Sequence, residues 1–176
     1  MTSAVIDASI AIASIRQEPG WKQIDERLAT WHRAGRSLIV PSQFWLEVSN
    51  ALLRQHRMKG SHLIEAVQRL DAIGIATVEL DRPLLLLALD LAERHGLTMY
   101  DAAYLAVAET VGGLLFLADR ELLAAAGPRG VSPASSPDHR LSEVPTAYGS
   151  GQRPTWPDYS GASAYLAKLR SEATRP

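Results

Sequence analysis

The chain has 176 residues, 47% of them apolar, with a formal net charge of −1, enough for one domain with a buried core plus an appendage. It has no cysteine, which excludes disulfides and thiolate metal sites and suits a reducing compartment. Residues 1 to 126 carry fifteen Asp and Glu against twelve Lys and Arg, so a nucleic acid would have to be held by local basic patches and metal ions rather than by bulk attraction.

The opening Met1-Thr2-Ser3-Ala4-Val5-Ile6-Asp7 has no basic residue, and an acid cuts its apolar run. No signal peptide is expected, and a cytoplasmic location is. Ala4–Ile6 reads as a buried parallel strand, and Asp7-Ala8-Ser9 leads from it into a helical segment, so Asp7 suits an N-cap. Pro19-Gly20 breaks the chain before Trp21, Ile24, Leu28 and Trp31 recur at helical spacing. A second strand is expected over Ser37–Val40. Pro41-Ser42 then opens a helix over Gln43–Arg57, with Phe44, Val48, Ala51 and Leu52 along one stripe and Glu47 on its border. Arg54, Arg57 and Lys59 at its end suit phosphate contacts, and equally suit a solvated face that complements the helix C-terminus.

A helix from Gly60-Ser61 to about Ile73 and a third strand over Ala76–Leu80 follow. Asp81-Arg82-Pro83 caps a long helix that His95-Gly96 ends. Its Leu84–Leu89 run is too short to span a membrane. In Leu97-Thr98-Met99-Tyr100-Asp101, Thr98 as N-cap with Asp101 three residues on resembles a capping box at the head of an otherwise small and apolar helix. Leu114–Ala118 is the clearest buried strand, followed by Asp119 and the helical Arg120–Ala124. Seven of the ten prolines lie at or beyond Pro128, and Pro128–Gly151 reads as a linker or surface loop. Beyond it Ala162, Tyr165, Leu166 and Leu169 mark a short amphipathic helix that must dock on something. The expected division is a domain over 1–126 and an extension over 127–176.

Short apolar strands alternating with longer helices argue for an α/β layer fold on a mainly parallel sheet, whose ligands bind beyond the carboxyl ends of the strands. Asp7 and Asp119 leave strands at that edge, Asp101 begins a helix that could point there, and Glu47 lies on the border of the apolar stripe of another helix. Each acid alone has an ordinary structural explanation. Together they would repel one another, and a hard divalent cation such as Mg²⁺ or Mn²⁺ relieves this while leaving positions for phosphate. One such ion, or two about 4 Å apart, would serve an in-line displacement without a covalent nucleophile. The five histidines show no zinc spacing, and no phosphate-binding loop, dinucleotide fingerprint or serine-hydrolase elbow is present. An aspartyl-nucleophile phosphatase would want an acid two residues after Asp7, where Ser9 stands.

Val5-Ile6-Asp7-Ala8-Ser9, Trp45-Leu46-Glu47-Val48-Ser49-Asn50-Ala51-Leu52, Leu97 to Ala106 and Leu117-Ala118-Asp119-Arg120-Glu121-Leu122, in that order, resemble the four acidic motifs of the PIN domain, and within it the VapC-type toxins of bacterial toxin-antitoxin pairs. The resemblance covers about residues 4 to 126. It implies a three-layer α/β/α sandwich and a metal-dependent endoribonuclease leaving a 5′-phosphate. Asp7 and Asp101 would be the chief ligands of Mg²⁺ or Mn²⁺, Glu47 and Asp119 would complete the site directly or through water, and Ser9 would orient a carboxylate or a water. It also implies a homodimer and a cognate antitoxin reaching toward the acids. Leu117 departs from the Ser or Thr common two residues before the fourth acid. The extension is longer than such a domain needs; it would cover the antitoxin groove, brace the dimer or pack on a remote face. A PIN-like module that only binds, and a phosphohydrolase acting on small phosphate esters, are the competing functions.

Overall fold

In the computed structural model, which describes residues 3–135, the central strands are too apolar to leave either face in water. β1 (Ser3–Ile6), β2 (Ser37–Pro41), β3 (Ala76–Val78), β4 (Leu114–Phe116) and β5 (Gly130–Val131) form one parallel sheet in the order β3-β2-β1-β4-β5. Val5, Val40, Leu115 and Phe116 are fully buried at its centre, as a sheet covered on both sides requires.

Parallel neighbours need crossovers, and helices supply them. α1 (Ala8–Arg16) and α2 (Trp21–Arg33) join β1 to β2, while α3 (Gln43–Asn50) and α4 (Gly60–Asp71) join β2 to β3. α5 (Arg82–His95) and α6 (Met99–Thr110) carry the chain back to β4, and α7 (Arg120–Ala126) leads on toward β5. Right-handed crossovers place α1 to α4 on one face and α5 to α7 on the other, and the packing of α1 against α2 and α3, and of α6 against α5, α7, β1 and β4, agrees. The expected three-layer α/β/α sandwich is therefore the observed one. Winding reverses between β1 and β4, the kind of switch point at which α/β folds leave a crevice beyond the strand ends.

Local signals explain several boundaries. Asp81 Oδ1 accepts from the Leu84 amide at 3.0 Å to start α5, and Gly96 at φ 66° ends it, a left-handed position where glycine has no steric penalty. Gly113 lies so close to β1 that a Cβ there would stand 2.8 Å from Ser3 O. That absence of a side chain lets β4 seat beside β1, and with it the two strand ends that carry Asp7 and Asp119.

Pro41, expected to open a helix, ends β2, and β3 and β4 stop at Val78 and Phe116, two residues short of the expected ends; the larger departures are two. The helix expected over Gln43–Arg57 is α-helical only to Asn50; Ala51–Gln55 widens into a π-helix, with His56 N bonding to Ala51 O at 3.2 Å. Gly130–Val131, expected within a linker, instead forms β5: Leu117 N bonds to Val131 O at 3.0 Å, and buried Arg129 donates to Gly113 O at 3.3 Å. Two strand residues bordered by Pro and Ser carry no alternating pattern, so backbone pairing and the Arg129 contact decide this segment. The expected amphipathic helix over residues 162–169 lies outside the described residues. No helix among the described residues is long and apolar enough to cross a membrane.

Candidate active site

Asp7 leaves the carboxyl end of β1, its amide held by Phe116 O at 2.9 Å. It caps α1, with Oδ2 accepting from the Ser9 amide at 3.0 Å and from the Ser9 hydroxyl. Only 6% of the residue is exposed. Burial pushes its pKa above the usual carboxylate value; the Ser9 hydrogen bonds oppose this, and the negative charge of Asp101 adds to it.

Asp101 sits in the first turn of α6, half-buried. Thr98 Oγ1 accepts from the Asp101 amide at 3.2 Å and donates to Asp101 Oδ2 at 2.7 Å. The cap expected from the sequence is thus present, with the carboxylate drawn onto the threonine hydroxyl. Beyond Asp101, Ala102 to Ala108 are all buried, so the apolar body of this helix is core and its head is polar.

Glu47 lies in the second turn of α3. Burial, and then the charge of Asp7, push its pKa up to about 7; Asp101 adds a smaller contribution, while Tyr104 and Gln43 favour its charged form. Its Oε1 is buried with no hydrogen-bond partner. Carboxylates whose charges perturb a neighbour share one field. Asp101 acts on Asp7, and both act on Glu47, so the three, from separate elements, form such a group.

Asp119 stands apart. It follows β4 and caps α7, Oδ1 accepting from the Leu122 amide at 2.8 Å, but it is exposed and is not among the charges that perturb Asp7 and Glu47. Leu117 is fully buried, so Asp119 takes its support from the helix amide. Arg54, Arg57 and Lys59 are exposed at and beyond the π-helical end of α3.

Two side chains here were not singled out by the sequence. Gln43 Nε2 donates to Tyr100 O at 2.8 Å, tying the start of α3 to the first turn of α6. Tyr104 is completely buried, its hydroxyl has no hydrogen-bond partner, and burial together with the charges of Glu47 and Asp7 pushes its pKa up. In sequence Tyr104 reads as core, since it falls in an unbroken apolar run. Its only available signal is the spacing of three residues from Asp101, which puts the two on one side of α6.

Among the described residues no three His, Asp or Glu side chains stand close enough together to hold an ion as they are placed. Their chemistry nevertheless fits a hard divalent cation. All donors are oxygens, their mutual repulsion is what a cation relieves, and Glu47 Oε1 is a buried acceptor with nothing to accept from. Two hollows elsewhere, one of about 520 Å³ beside His95, Gly96 and Glu121 and one of about 370 Å³ between α1, α2 and α4, include none of the four acids.

Comparison with known proteins identifies the family. Residues 4–128 match the PIN domain family. The chain is 36% identical over 85 residues to Ribonuclease VapC3 of Pyrobaculum aerophilum, covering 47% of this chain and 60% of that protein. It is 33% identical over 120 residues to Exonuclease VapC9 of the same organism, covering 68% of this chain and 83% of that protein. The crystal structure of PAE2754 from Pyrobaculum aerophilum superposes with a TM-score of 0.51 at 29% identity, over 70% of this chain and 79% of that one. A toxin-antitoxin complex from Klebsiella pneumoniae gives 0.56 at 19% identity, over 74% and 97%, a likeness of fold. With the family match spanning all four acidic segments and all but the last strand of the sheet, the chain belongs to the PIN-domain family.

Proposed function

We propose that this protein is a metal-dependent endoribonuclease, the toxin of a toxin-antitoxin pair. One observation carries the proposal: at the switch point of the sheet the charge of Asp101 raises Asp7, and the charges of Asp7 and Asp101 raise Glu47, which keeps a buried oxygen without a partner. The names of the relatives, a ribonuclease and an exonuclease, support nucleic acid as the substrate class.

In this reading Asp7, Glu47 and Asp101 hold Mg²⁺ or Mn²⁺, and Asp119 joins them directly or through water. When bound, the ion supplies Lewis acidity at the phosphate and makes an attacking water more acidic. Ser9 and Thr98 fix the orientation of Asp7 and Asp101 through the hydrogen bonds they already make, so less reorganisation is needed at the moment of reaction. Arg54 lies seven residues beyond Glu47, about 10 Å along the helix. With Arg57 and Lys59 it would grip phosphates flanking the cut rather than the one cleaved. Leu46 and Leu53, exposed and seven residues apart along α3 and its π-helical continuation, offer apolar surface that a second copy would cover in a homodimer.

End-labelled structured RNA incubated with Mn²⁺ or with chelator tests the proposal. Internal cuts bearing 5′-phosphates, seen only with metal, are expected. A ladder growing from one end would shift the reading to an exonuclease, the activity named for VapC9. Retention of RNA with no turnover under any metal would leave a binding module. Hydrolysis of a phosphomonoester but not of RNA would leave a phosphohydrolase.

A further inference from the structure

Four buried side-chain polar atoms among the described residues have no hydrogen-bond partner: Nε and Nη1 of Arg36, Oε1 of Glu47 and the hydroxyl of Tyr104. The guanidinium of Arg36 lies 5.3 Å from the centroid of the Trp31 ring, and the face of that ring offsets part of its desolvation. The other two meet no ring face; neither makes a hydrogen bond of full geometry, yet each is the other's hydrogen-bonding neighbour in their electrostatics, with Gln43 also near Glu47 and the Ala8 backbone near Tyr104.

They belong to one place. Gln43 holds α3 against the first turn of α6, and Glu47 is one helical turn beyond Gln43 while Tyr104 is one turn beyond Asp101. Each of the two therefore lies one turn along its helix from the point where the helices are tied. The Tyr104 ring is completely buried, in a run where every residue from Ala102 to Ala108 is buried. Phenylalanine would fill the same space without burying a hydroxyl, so the phenolic oxygen is a liability unless it meets a polar partner. Glu47 carries the acceptor that needs a donor, and its charge is felt at Tyr104. Unpartnered groups of complementary type, buried side by side, call for an explanation.

We infer that Tyr104 is a positioning residue whose hydroxyl donates to the Glu47 carboxylate and fixes it beside Asp7 and Asp101 for the cation. The cation rests on the function proposed above; the tyrosine–glutamate pairing does not. Tyr104 thereby acts through Glu47 and does not itself touch substrate.

Tyr104→Phe, Glu47→Ala and the double variant test this in two ways. In metal-free protein, the shifts in melting temperature caused by the single changes fail to add in the double variant, because the two remove one shared interaction. Calorimetric titration with Mn²⁺ shows about a tenfold loss of affinity in Tyr104→Phe, the usual effect of removing a partner that orients a ligand, and no further loss when the change is made on Glu47→Ala. Additive melting shifts overturn the pairing. Wild-type Mn²⁺ affinity in Tyr104→Phe overturns the positioning role even where the melting shifts do not add. If the wild-type protein takes up no Mn²⁺, the proposed function fails, and the melting shifts alone decide the pairing.

Discussion

Asp7 and Asp119 leave neighbouring parallel strands, β1 and β4, and each caps the helix that follows. By sequence they are near twins: an acid after a short apolar run and before a helix. In the structure Asp7 is buried, bonded twice to Ser9 and raised in pKa, whereas Asp119 is exposed and bonded to its helix amide. Capping is common to both, so it does not mark a functional acid. What separates them is company: Asp7 feels the charge of Asp101 and acts on Glu47, whereas Asp119 is exposed and perturbs neither.

The comparison can be broken most forcefully at Asp101. Asp101→Asn should lower RNA cleavage by about 10²–10³-fold, the scale of losing one preorganised electrostatic group. The same change should leave the metal-free melting temperature unchanged or slightly higher, since it removes repulsion; wild-type turnover would remove Asp101 from the site. Next in size is Gly113→Ala, where a Cβ would press on Ser3 O. It should cost about 1–3 kcal/mol of stability, an ordinary penalty for overpacking, measured by denaturant unfolding. Cleavage per folded molecule should persist, provided β4 reseats without displacing the strand ends.

Asp119→Asn sharpens the contrast, because asparagine also caps. Stability should hold and cleavage should fall only about tenfold, as for a group acting through a neighbour. A loss as large as that of Asp7→Asn would erase the distinction between the two rims. Asp119→Ala should in addition cost about 1 kcal/mol for the lost cap. The last effect is on pH dependence. Glu47 is raised from 4.5 to about 7, so between those values the folded protein holds a proton that the unfolded chain has released. Its contribution to stability is therefore full below pH 4.5 and is lost as pH rises through 7. Metal-free melting temperatures should fall across this window more steeply for wild type than for Glu47→Gln.

The elements legible in the sequence were those with strong local chemistry: the buried runs at β1 and β4, the Asp81 cap and Gly96 stop of α5, and the Thr98 cap of α6. Less legible was whatever depends on distant partners. Ala51–Gln55 keeps the apolar stripe of α3 and so gives no hint of its wider winding. β5 is two residues long and exists because β4 offers it an edge and Arg129 anchors it. At the site, the family resemblance pointed to all four acids, but burial is a property of the folded chain, so nothing local could separate Asp7 from Asp119. Tyr104 was hidden for the opposite reason: in an apolar helix a tyrosine looks like packing until its hydroxyl is found beside Glu47 without a partner.

The most direct measurement is anomalous diffraction from crystals of the full chain soaked in Mn²⁺. The account predicts a manganese peak bounded by oxygens of Asp7, Glu47 and Asp101 at the carboxyl end of β1. A peak held by other residues, or none at a concentration that supports RNA cleavage, would contradict it.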